Sequence, residues 1–314
     1  VNKANTTFID TILEHSHKGR IHCDFHPLRS DGGGTVTGRF SSSNPNLQQI
    51  PARDPYIKKL IRGLFIPEEG SKWGSFDYAS QEPRWLVHYC ATLTGFDRHP
   101  QIDDVVALYK KGEADFHQIV ADIAGIPRKQ AKTVNLGLMY GMGKGKLGSE
   151  LGLDEEDTAD LWKQYHKSVP FIKELADKVS QRAQDVGYIR TLLGRKCRFD
   201  LWEPNLFGIN KPLPHVEAMR EHGKNIRRAF TYKALNKLIQ GSAADQTKQA
   251  MIDLHEEGFL PHIQVHDELN LSVENPEQYS VIKKIMENCV ELKVKCKVDV
   301  EVGNSWGEIK EVND

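Results

Sequence analysis

The chain has 314 residues, of which 39% are hydrophobic, so it can bury a large core in one domain or in two to three subdomains. Its 42 Lys and Arg residues balance 43 Asp and Glu residues, and the formal net charge of -1 excludes a basic footprint spread over the whole chain. The five cysteines lack C-x-x-C spacing and no apolar run approaches about 18 residues. These features predict a soluble intracellular protein without a disulfide framework, a zinc site or a membrane span.

Local patterning predicts an α+β fold with a few central strands and many helices. Segments rich in Gly, Pro, Asn and Ser mark the loops between them. The expected segments are, in chain order, a helix end before residue 18, a loop over 28–55, a buried strand over 72–78, a helix to residue 91, a helix over 103–123, a helix from Pro127 to Tyr140, a helix over 157–186, a strand over 188–190, a helix over 215–256 interrupted near Gly241, a hairpin over 262–273, a helix over 276–292 and a strand over 297–302.

Two carboxylates stand at predicted strand ends. Asp77 ends the first buried strand, and Asp267 lies at the tip of the hairpin. Two such strands paired in one sheet would bring these carboxylates together, and Mg²⁺ takes one or two carboxylates together with substrate phosphates. Turn chemistry alone also explains an Asp at a hairpin tip, so this alternative stays open.

A stripe of chemically ordered side chains follows the helix after Pro127. Arg128, Lys132, Leu136 and Tyr140 are spaced by four, so they share one slowly drifting face. The order from cations to an apolar and an aromatic residue matches that of a nucleoside triphosphate, with charged phosphates at one end and a base at the other. A basic solvated face above an apolar contact stripe is the alternative.

A second group of cations lies between Arg220 and Lys237, with Glu221 as the only acidic residue in that segment. Asn236 and Gln240, one helical turn apart, have amides that can hydrogen-bond base edges or sugars. Such a cluster suits a nucleic-acid backbone, and a solvated helix face explains it equally well.

Taken together, these features resemble the family A DNA polymerases, the group that contains bacterial DNA polymerase I and several phage replicases. The resemblance is collinear from about residue 18 to residue 307. Its motifs are Thr37–Ser42 with Pro45–Pro51, Asp77–Arg84 (motif A), Arg128–Gly141 (motif B), Thr191–Arg195, Gln240–Asp245, Gln264–Glu268 (motif C) and Val302–Trp306.

The resemblance implies a polymerase palm with an antiparallel sheet and a helical fingers subdomain, and it implies a role for each matched residue. Asp77, Asp267 and the carbonyl of Tyr78 would hold two Mg²⁺ ions, for which Mn²⁺ can substitute, with Glu268 in support. Lys132 would bind the triphosphate and protonate the leaving group. Further contacts with the nucleotide would come from Arg128, His117, Leu136, Tyr140, Glu82 and Gln81. Contacts with the primer-template DNA would come from Arg39, Asn236, Gln240 and His266.

Glu82 would lie beneath the sugar of the incoming dNTP and exclude a 2′-hydroxyl. Leu136 departs from the family, which usually has Phe or Tyr there, and Pro83 replaces an aliphatic residue. Only ten residues separate His117 from Arg128, a short connection typical of phage replicases.

We assign residues 1–92 to a thumb remnant and the first part of the palm, 93–230 mainly to the fingers, and 231–314 to the second part of the palm. Most of the thumb and the proofreading exonuclease of the family would precede residue 1. We therefore expect no exonuclease activity, and a weak grip on DNA unless a separate N-terminal portion is supplied. The expected location is the cytoplasm of a bacterium or of a phage-infected host.

Two other functions compete with this hypothesis. A single-subunit RNA polymerase or a reverse transcriptase can share the palm, and Glu82 beneath the sugar argues against both. A non-catalytic DNA-binding module or an inactive remnant is the second competitor. The presence of Asp77, Asp267, Arg128 and Lys132 argues against loss of activity.

Overall fold

The structure is a computed structural model. It describes residues 5–28, 33–52, 54–93, 99–111, 115–139, 141–206, 208 and 210–312. The chain forms two compact units. The first contains Val1–Gln81, Ala243–Glu291 and Cys296–Asp314, and the second contains Glu82–Ser242 and Leu292–Lys295.

Helices account for most of the regular structure. No helix among the described residues is long and apolar enough to cross a membrane. The α-helices are α1 (Asp10–Glu14), α2 (Pro55–Arg62), α3 (Gln81–Thr92), α4 (Pro100–Lys110), α5 (Phe116–Ala124), α6 (Arg128–Met139), α7 (Lys144–Leu151), α8 (Glu155–Ser168), α9 (Pro170–Val186), α10 (His215–His222), α11 (Ala234–Glu256) and α12 (Pro276–Asn288). A short π-helix covers Asn5–Ile9, and 3₁₀ turns cover Leu47–Gln49, Thr231–Lys233 and Trp306–Glu308.

The strands are short, and all of the observed pairings are antiparallel. They are β1 (Ser16–His17), β2 (Arg20–Ile21), β3 (Asp24–His26), β4 (Ser41–Ser43), β5 (Lys72–Tyr78), β6 (Tyr188–Arg190), β7 (Lys196–Arg198), β8 (Leu201–Pro204), β9 (Leu213–Pro214), β10 (Ile226–Arg228), β11 (Ile263–Val265), β12 (Glu268–Val273), β13 (Val298–Gly303) and β14 (Lys310–Glu311).

The first unit is built on a five-stranded sheet of order β11-β12-β5-β13-β14. Its central strand, β5, pairs with β12 and with β13. Asp77 lies opposite Glu268 on one side and opposite Asp299 on the other. Because residues directly opposite each other project from the same side of a sheet, this register gathers three acidic side chains on one face.

The two faces of this sheet have opposite chemistry because side chains alternate along each strand. Phe76 and Tyr78 on β5 share the apolar face with Leu269 and Leu271 on β12, and this face packs on buried side chains of α11 and α12. Gly74 lies on the same face, where a Cβ atom would come within 2.8 Å of the Phe76 ring. The opposite face is polar near Asp77, so one face of the sheet is buried and the other presents polar side chains.

A second core cluster supports the far end of the polar face. Trp73 and Trp306 stack with ring centroids 6.1 Å apart, and Phe65 meets Trp306 edge-on at 5.5 Å. Helix α2 closes this cluster through Ile61 and through Arg62, whose guanidinium lies 4.2 Å above the Trp306 ring. These contacts anchor the C-terminal 3₁₀ turn beside β5.

The second unit is mainly helical. Its largest fully buried side chains are aromatic, among them Trp85, Tyr109 and Tyr165. Two small sheets accompany the helices: the β6–β7 hairpin, and a three-stranded sheet of order β10-β8-β9. Helices α5 and α6 lie side by side, and each also contacts one of the helices α8 and α9.

Two predicted helices are each divided in the structure. The segment 103–123 contains most of α4 and nearly all of α5. A new helix begins at Phe116 because the Asp115 side chain caps α5 by accepting hydrogen bonds from the amides of His117 and Gln118. The segment 157–186 divides at Pro170, which begins α9. Proline lacks the amide hydrogen that a continuous helix requires.

The prediction of a helix over 215–256 interrupted near Gly241 is wrong in its interior. Helix α10 ends at Gly223, whose φ of +65° is readily adopted by glycine. Strand β10 and a 3₁₀ turn follow, and α11 then runs without a break through Gly241. The strand at 72–78, the hairpin at 262–273 and the closing helix and strand are confirmed within a few residues.

The units divide after Gln81 and after Ser242, whereas the sequence placed subdomain boundaries after residues 92 and 230. Helices α3 and α11 each begin within one unit and end in the other. The predicted subdomain boundaries stay a prediction.

Candidate active site

Asp77 and Asp267 stand at the ends of neighbouring strands in the first unit. The backbone amide of Tyr78 donates to the carbonyl oxygen of Asp267 at 3.3 Å. Asp77 pairs with Glu268, which follows Asp267 in the sequence and is the first residue of β12. The Asp77 side chain is exposed and that of Asp267 is half-buried. The sheet therefore brings the two predicted metal ligands to one edge, as their positions at strand ends predicted.

Negative charge is concentrated around Asp77. Partial enclosure and the charges of Asp267, Glu268, Asp299 and Glu301 raise the pKa of Asp77 well above the usual carboxyl value. Since this side chain is also exposed to water, the solvent screens part of the repulsion. A cleft of about 260 Å³ opens beside it, and Ser75, Asp299, Glu301 and Glu311 complete its lining.

This donor set suits a hard divalent cation. The side chains that line the cleft offer oxygen atoms, and several of them are carboxylates whose negative charge a cation would offset. No group of three His, Cys, Asp or Glu side chains within the described part of the chain has the arrangement of a metal cage. Mg²⁺ seldom uses such a cage, because it usually binds one or two carboxylates and fills its other positions with water and phosphate oxygens.

The turn that carries Asp267 is held by a pair of glutamines. His266 adopts a left-handed conformation with a φ of +57°, which is unusual for a residue other than glycine. The Gln264 amide donates to the His266 carbonyl at 2.6 Å, and Gln48 donates to Gln264 Oε1 at 2.8 Å. Ser80, which follows β5, is also left-handed, with a φ of +54°. A left-handed residue thus directly precedes Asp267, and another lies three residues after Asp77.

Glu268 is held from three directions. Its Oε1 atom accepts hydrogen bonds from Ser75 Oγ at 2.7 Å, from Asn270 Nδ2 at 2.9 Å and from Trp306 Nε1 at 3.1 Å. Trp73 Nε1 donates in turn to Asn270 Oδ1 at 2.8 Å. Ser75 and Asn270 were not among the predicted site residues, although each lies two positions from an acidic candidate and therefore on the same face of its strand.

The charge around Asp77 leads to a testable dependence of stability on pH. In the presence of a chelator, the free energy of unfolding is expected to fall as pH rises from about 4 towards the raised pKa of Asp77. Over that range the unfolded chain releases a proton that the folded chain retains, so folding becomes less favourable. If Mg²⁺ binds the ionised carboxylate of Asp77, it should raise the melting temperature most at the upper end of this range.

Melting curves with chelator and with Mg²⁺, recorded over a series of pH values, measure this effect. The control is Asp77→Asn, which cannot ionise and should melt later than wild type without metal, with a flatter pH profile and a smaller response to Mg²⁺. Equal pH slopes for the two proteins would contradict the electrostatic interpretation.

The cationic stripe lies on α6 in the second unit. Arg128 and Lys132 are exposed and Leu136 is half-buried, while Tyr140 lies outside the described residues. Arg128 Nε donates to Asp115 Oδ2 at 2.8 Å. Although burial opposes ionisation of Asp115, its hydrogen bonds with Arg128 and with backbone amides lower its pKa. Asp115 thus both caps α5 and orients Arg128.

His117 lies on α5 and faces α6. Its Nδ1 atom is 3.1 Å from Nδ2 of Asn135, and the imidazole is half-buried. Burial lowers the pKa of His117; the charge of Asp115 opposes this effect, and the charges of Lys132 and Arg128 add to it. A neutral imidazole therefore lies close to the stripe.

The structure places Gln81, a predicted nucleotide contact, in a buried position at the start of α3. Its Nε2 atom lies within hydrogen-bonding distance of the Ala243 carbonyl (3.3 Å), Gln246 Oε1 (3.2 Å) and Thr247 Oγ1 (3.2 Å). These contacts hold the start of α3 against α11. The predicted contact of Gln81 with the nucleotide stays a prediction.

The other predicted site residues are placed as follows. Arg39 is half-buried in the first unit, in a loop where its carbonyl accepts from Thr35 Oγ1 at 2.9 Å, and His266 is exposed. In the second unit, Glu82 is half-buried on the first turn of α3. Asn236 and Gln240 are half-buried on α11, one turn apart.

Comparison with known proteins decides the family. The model of DNA polymerase family A matches residues 1–308, nearly the whole chain. The chain belongs to this family.

Among curated relatives of this family A chain, the DNA-directed DNA polymerase of Pseudomonas phage M6 is 38% identical over 98% of the chain and 50% of the relative. The thermostable DNA polymerase I of Thermus aquaticus is 32% identical over 99% of the chain and 36% of the relative. The chain thus spans about half, or less, of the length of these proteins.

A solved structure resembles this family A chain closely. It is the polymerase domain of Pol1 from M. smegmatis in complex with DNA primer-template and dNTP, with a TM-score of 0.76 and 29% sequence identity. The match covers 98% of the present chain and 51% of the other. The predicted family and the α+β polymerase fold are confirmed.

Proposed function

We propose that this chain is the polymerase core of a template-directed DNA polymerase, which adds dNTPs to the 3′ end of a primer. The observation that carries the proposal is the register of β5 and β12, which places Asp77 beside the turn of Asp267 on an acidic edge of the sheet. The names of the family and of its phage and bacterial relatives support it. These relatives also favour action in the cytoplasm of a bacterium or a phage-infected cell.

The first unit supplies the metal ligands in this proposal. Two Mg²⁺ ions, or Mn²⁺ in their place, would be held by Asp77, Asp267 and the Tyr78 carbonyl, and would supply charge neutralisation and activation of the primer hydroxyl. Glu268, held by its three hydrogen-bond donors, would keep the start of β12 and the adjoining Asp267 in place. His266 and Arg39 would contact the primer terminus and the minor groove, where A·T and G·C pairs look alike.

The second unit supplies the nucleotide contacts. Arg128 and Lys132 would bind the triphosphate, and Lys132 would protonate the departing pyrophosphate. His117 would contact the β-phosphate, Leu136 the sugar and Tyr140 the template base, while Asn236 and Gln240 would bind DNA. We assign these residues to the same reaction as the carboxylates because both sets match the family's motifs.

Primer extension tests the function directly. The chain is incubated with a primer annealed to a DNA template, the four dNTPs and Mg²⁺, and parallel reactions contain a chelator, an RNA template or ribonucleotides. The proposal requires extension that depends on metal and prefers dNTPs on a DNA template. Binding of primer-template without extension, also when the N-terminal portion of a relative is added, would support the non-catalytic alternative.

Replacement of Glu82 by Ala should admit ribonucleotides. Removing the carboxylate opens space where a 2′-hydroxyl would lie, so the ratio of ribonucleotide to deoxynucleotide incorporation should rise by about tenfold or more, since each 1.4 kcal/mol of lost discrimination is a factor of ten. Single-nucleotide insertion with matched dNTP and NTP measures this ratio. Glu150→Ala on α7, where Glu150 is exposed, is the control and should leave the ratio unchanged. An unchanged ratio for Glu82→Ala would assign the exclusion to another residue.

A further inference from the structure

A buried hydrogen-bonded relay crosses three helices of the second unit. Tyr165 on α8 donates its hydroxyl proton to Asn135 Oδ1 on α6, and Asn135 Nδ2 lies 3.1 Å from Nδ1 of His117 on α5. Tyr165 and Asn135 are both fully buried, with 0% of their surface exposed. A buried amide and hydroxyl that each find a partner constrain the orientation of both groups.

The direction of the relay follows from the Tyr165 hydroxyl. Burial raises the pKa of Tyr165 well above its usual value, so this hydroxyl keeps its proton and needs an acceptor. Among the described residues, the Asn135 amide oxygen is the acceptor that the structure provides. Rotating the Asn135 amide by half a turn would present its NH₂ group to Tyr165 and leave the buried hydroxyl proton without that acceptor, which is unfavourable.

This amide orientation sets the protonation of His117. The Asn135 NH₂ group can only donate, so Nδ1 of His117 has to accept and therefore carries no proton. A neutral imidazole has one N–H group, which then lies on Nε2. The charged neighbours of the ring leave this assignment unchanged. Burial, with the charges of Lys132 and Arg128, lowers the His117 pKa despite the opposing charge of Asp115, so the ring is neutral.

We propose that Asn135 and Tyr165 are positioning residues that hold His117 in its Nε2–H tautomer, so that the triphosphate of the incoming nucleotide meets a hydrogen-bond donor. The nucleotide part of this inference rests on the proposed function, whereas the tautomer does not. An imidazole in the other tautomer would present a lone pair at Nε2, which repels a phosphate oxygen. Through the relay, two buried residues of the helical core thus influence the affinity for the nucleotide.

The tautomer can be measured without DNA or nucleotide. Nitrogen-15 NMR of the His side chains at neutral pH, with the His117 signals identified from their loss in His117→Gln, distinguishes a protonated Nε2 from a protonated Nδ1. We expect the Nε2–H pattern in wild type. In Asn135→Asp an acceptor replaces the NH₂ donor, so the proton should move to Nδ1. A wild-type His117 protonated at Nδ1 would overturn the inference.

Two further variants separate positioning from a general effect on folding. Tyr165→Phe removes the hydroxyl that orients Asn135 and should give a mixture of the two tautomers. Tyr109→Phe is the matched control, since the Tyr109 hydroxyl is also buried but has no hydrogen-bond partner within the described part of the chain. It should leave the His117 spectrum unchanged. Equal spectra for Tyr165→Phe and wild type would overturn the role of Tyr165.

Nucleotide kinetics test the proposed effect of the His117 tautomer on nucleotide binding. KM for dNTP should rise about tenfold in Asn135→Asp, as expected when one hydrogen bond to a charged group is lost, with a smaller change in kcat. Addition of dNTP to the wild-type protein should shift the His117 signals. If the Nε2–H pattern is present but dNTP leaves those signals unchanged, the tautomer assignment is supported and the proposed contact of His117 with the nucleotide is overturned.

Discussion

Asp267→Asn and Asp77→Asn should each reduce primer extension by about a thousandfold or more. A carboxylate that holds a catalytic ion contributes several kcal/mol to stabilising transition-state charge, and each 1.4 kcal/mol is a factor of ten in rate. Asn has the same shape but no charge, so the fold and the contacts with primer-template should persist. Single-turnover extension and gel-shift affinity are measured on the same preparations.

Glu311→Gln is the matched control for these two variants. Glu311 is an exposed carboxylate on the edge strand β14, where it lines the same acidic cleft as Asp77, yet it lies outside the strand ends that carry the proposed ligands. It should extend primers at a rate close to that of wild type. Near wild-type extension by either Asp variant would show that the metal ligands are other residues.

Lys132→Ala is expected to give the second large effect. If Lys132 both binds the triphosphate and protonates the departing pyrophosphate, its loss should lower kcat by about 10² to 10⁴-fold, the usual range for a general acid, and should also raise KM for dNTP. Lys132→Arg should recover most of the binding but little of kcat, because a guanidinium keeps its proton. Steady-state and single-turnover kinetics separate the two contributions.

The control for this prediction is Lys146→Ala. Lys146 is an exposed cation on the adjacent helix α7, but it is not on the stripe. Its replacement by Ala should change neither kcat nor the KM for dNTP appreciably. A raised KM with an unchanged kcat in Lys132→Ala would support Lys132 as a phosphate contact and would exclude it as the general acid.

The errors of the sequence-based prediction have a common physical origin. A helix over 103–123 was expected from local patterning, but the Asp115 cap begins a new helix within that segment. A helix over 157–186 was expected as well, but Pro170, which lacks the amide hydrogen that a continuous helix requires, begins a second helix there. In each case one residue outweighed the pattern around it.

The sequence by itself determined the family, the strand that ends at Asp77, the hairpin that carries Asp267 and the stripe of Arg128, Lys132 and Leu136 on one helix. These features are local, because the spacing of side chains along a strand or a helix follows from backbone geometry over a few residues.

Only the tertiary structure decided which side chains hold these groups in place. Ser75 and Trp306 meet at Glu268, and Tyr165 reaches His117 through Asn135. Ser75 and Glu268 are 193 residues apart, and Tyr165 and Asn135 are 30 apart. Such pairs depend on strand register and helix packing, which form only when distant segments bury their apolar faces together, so residue spacing along the chain does not encode them in a readable form.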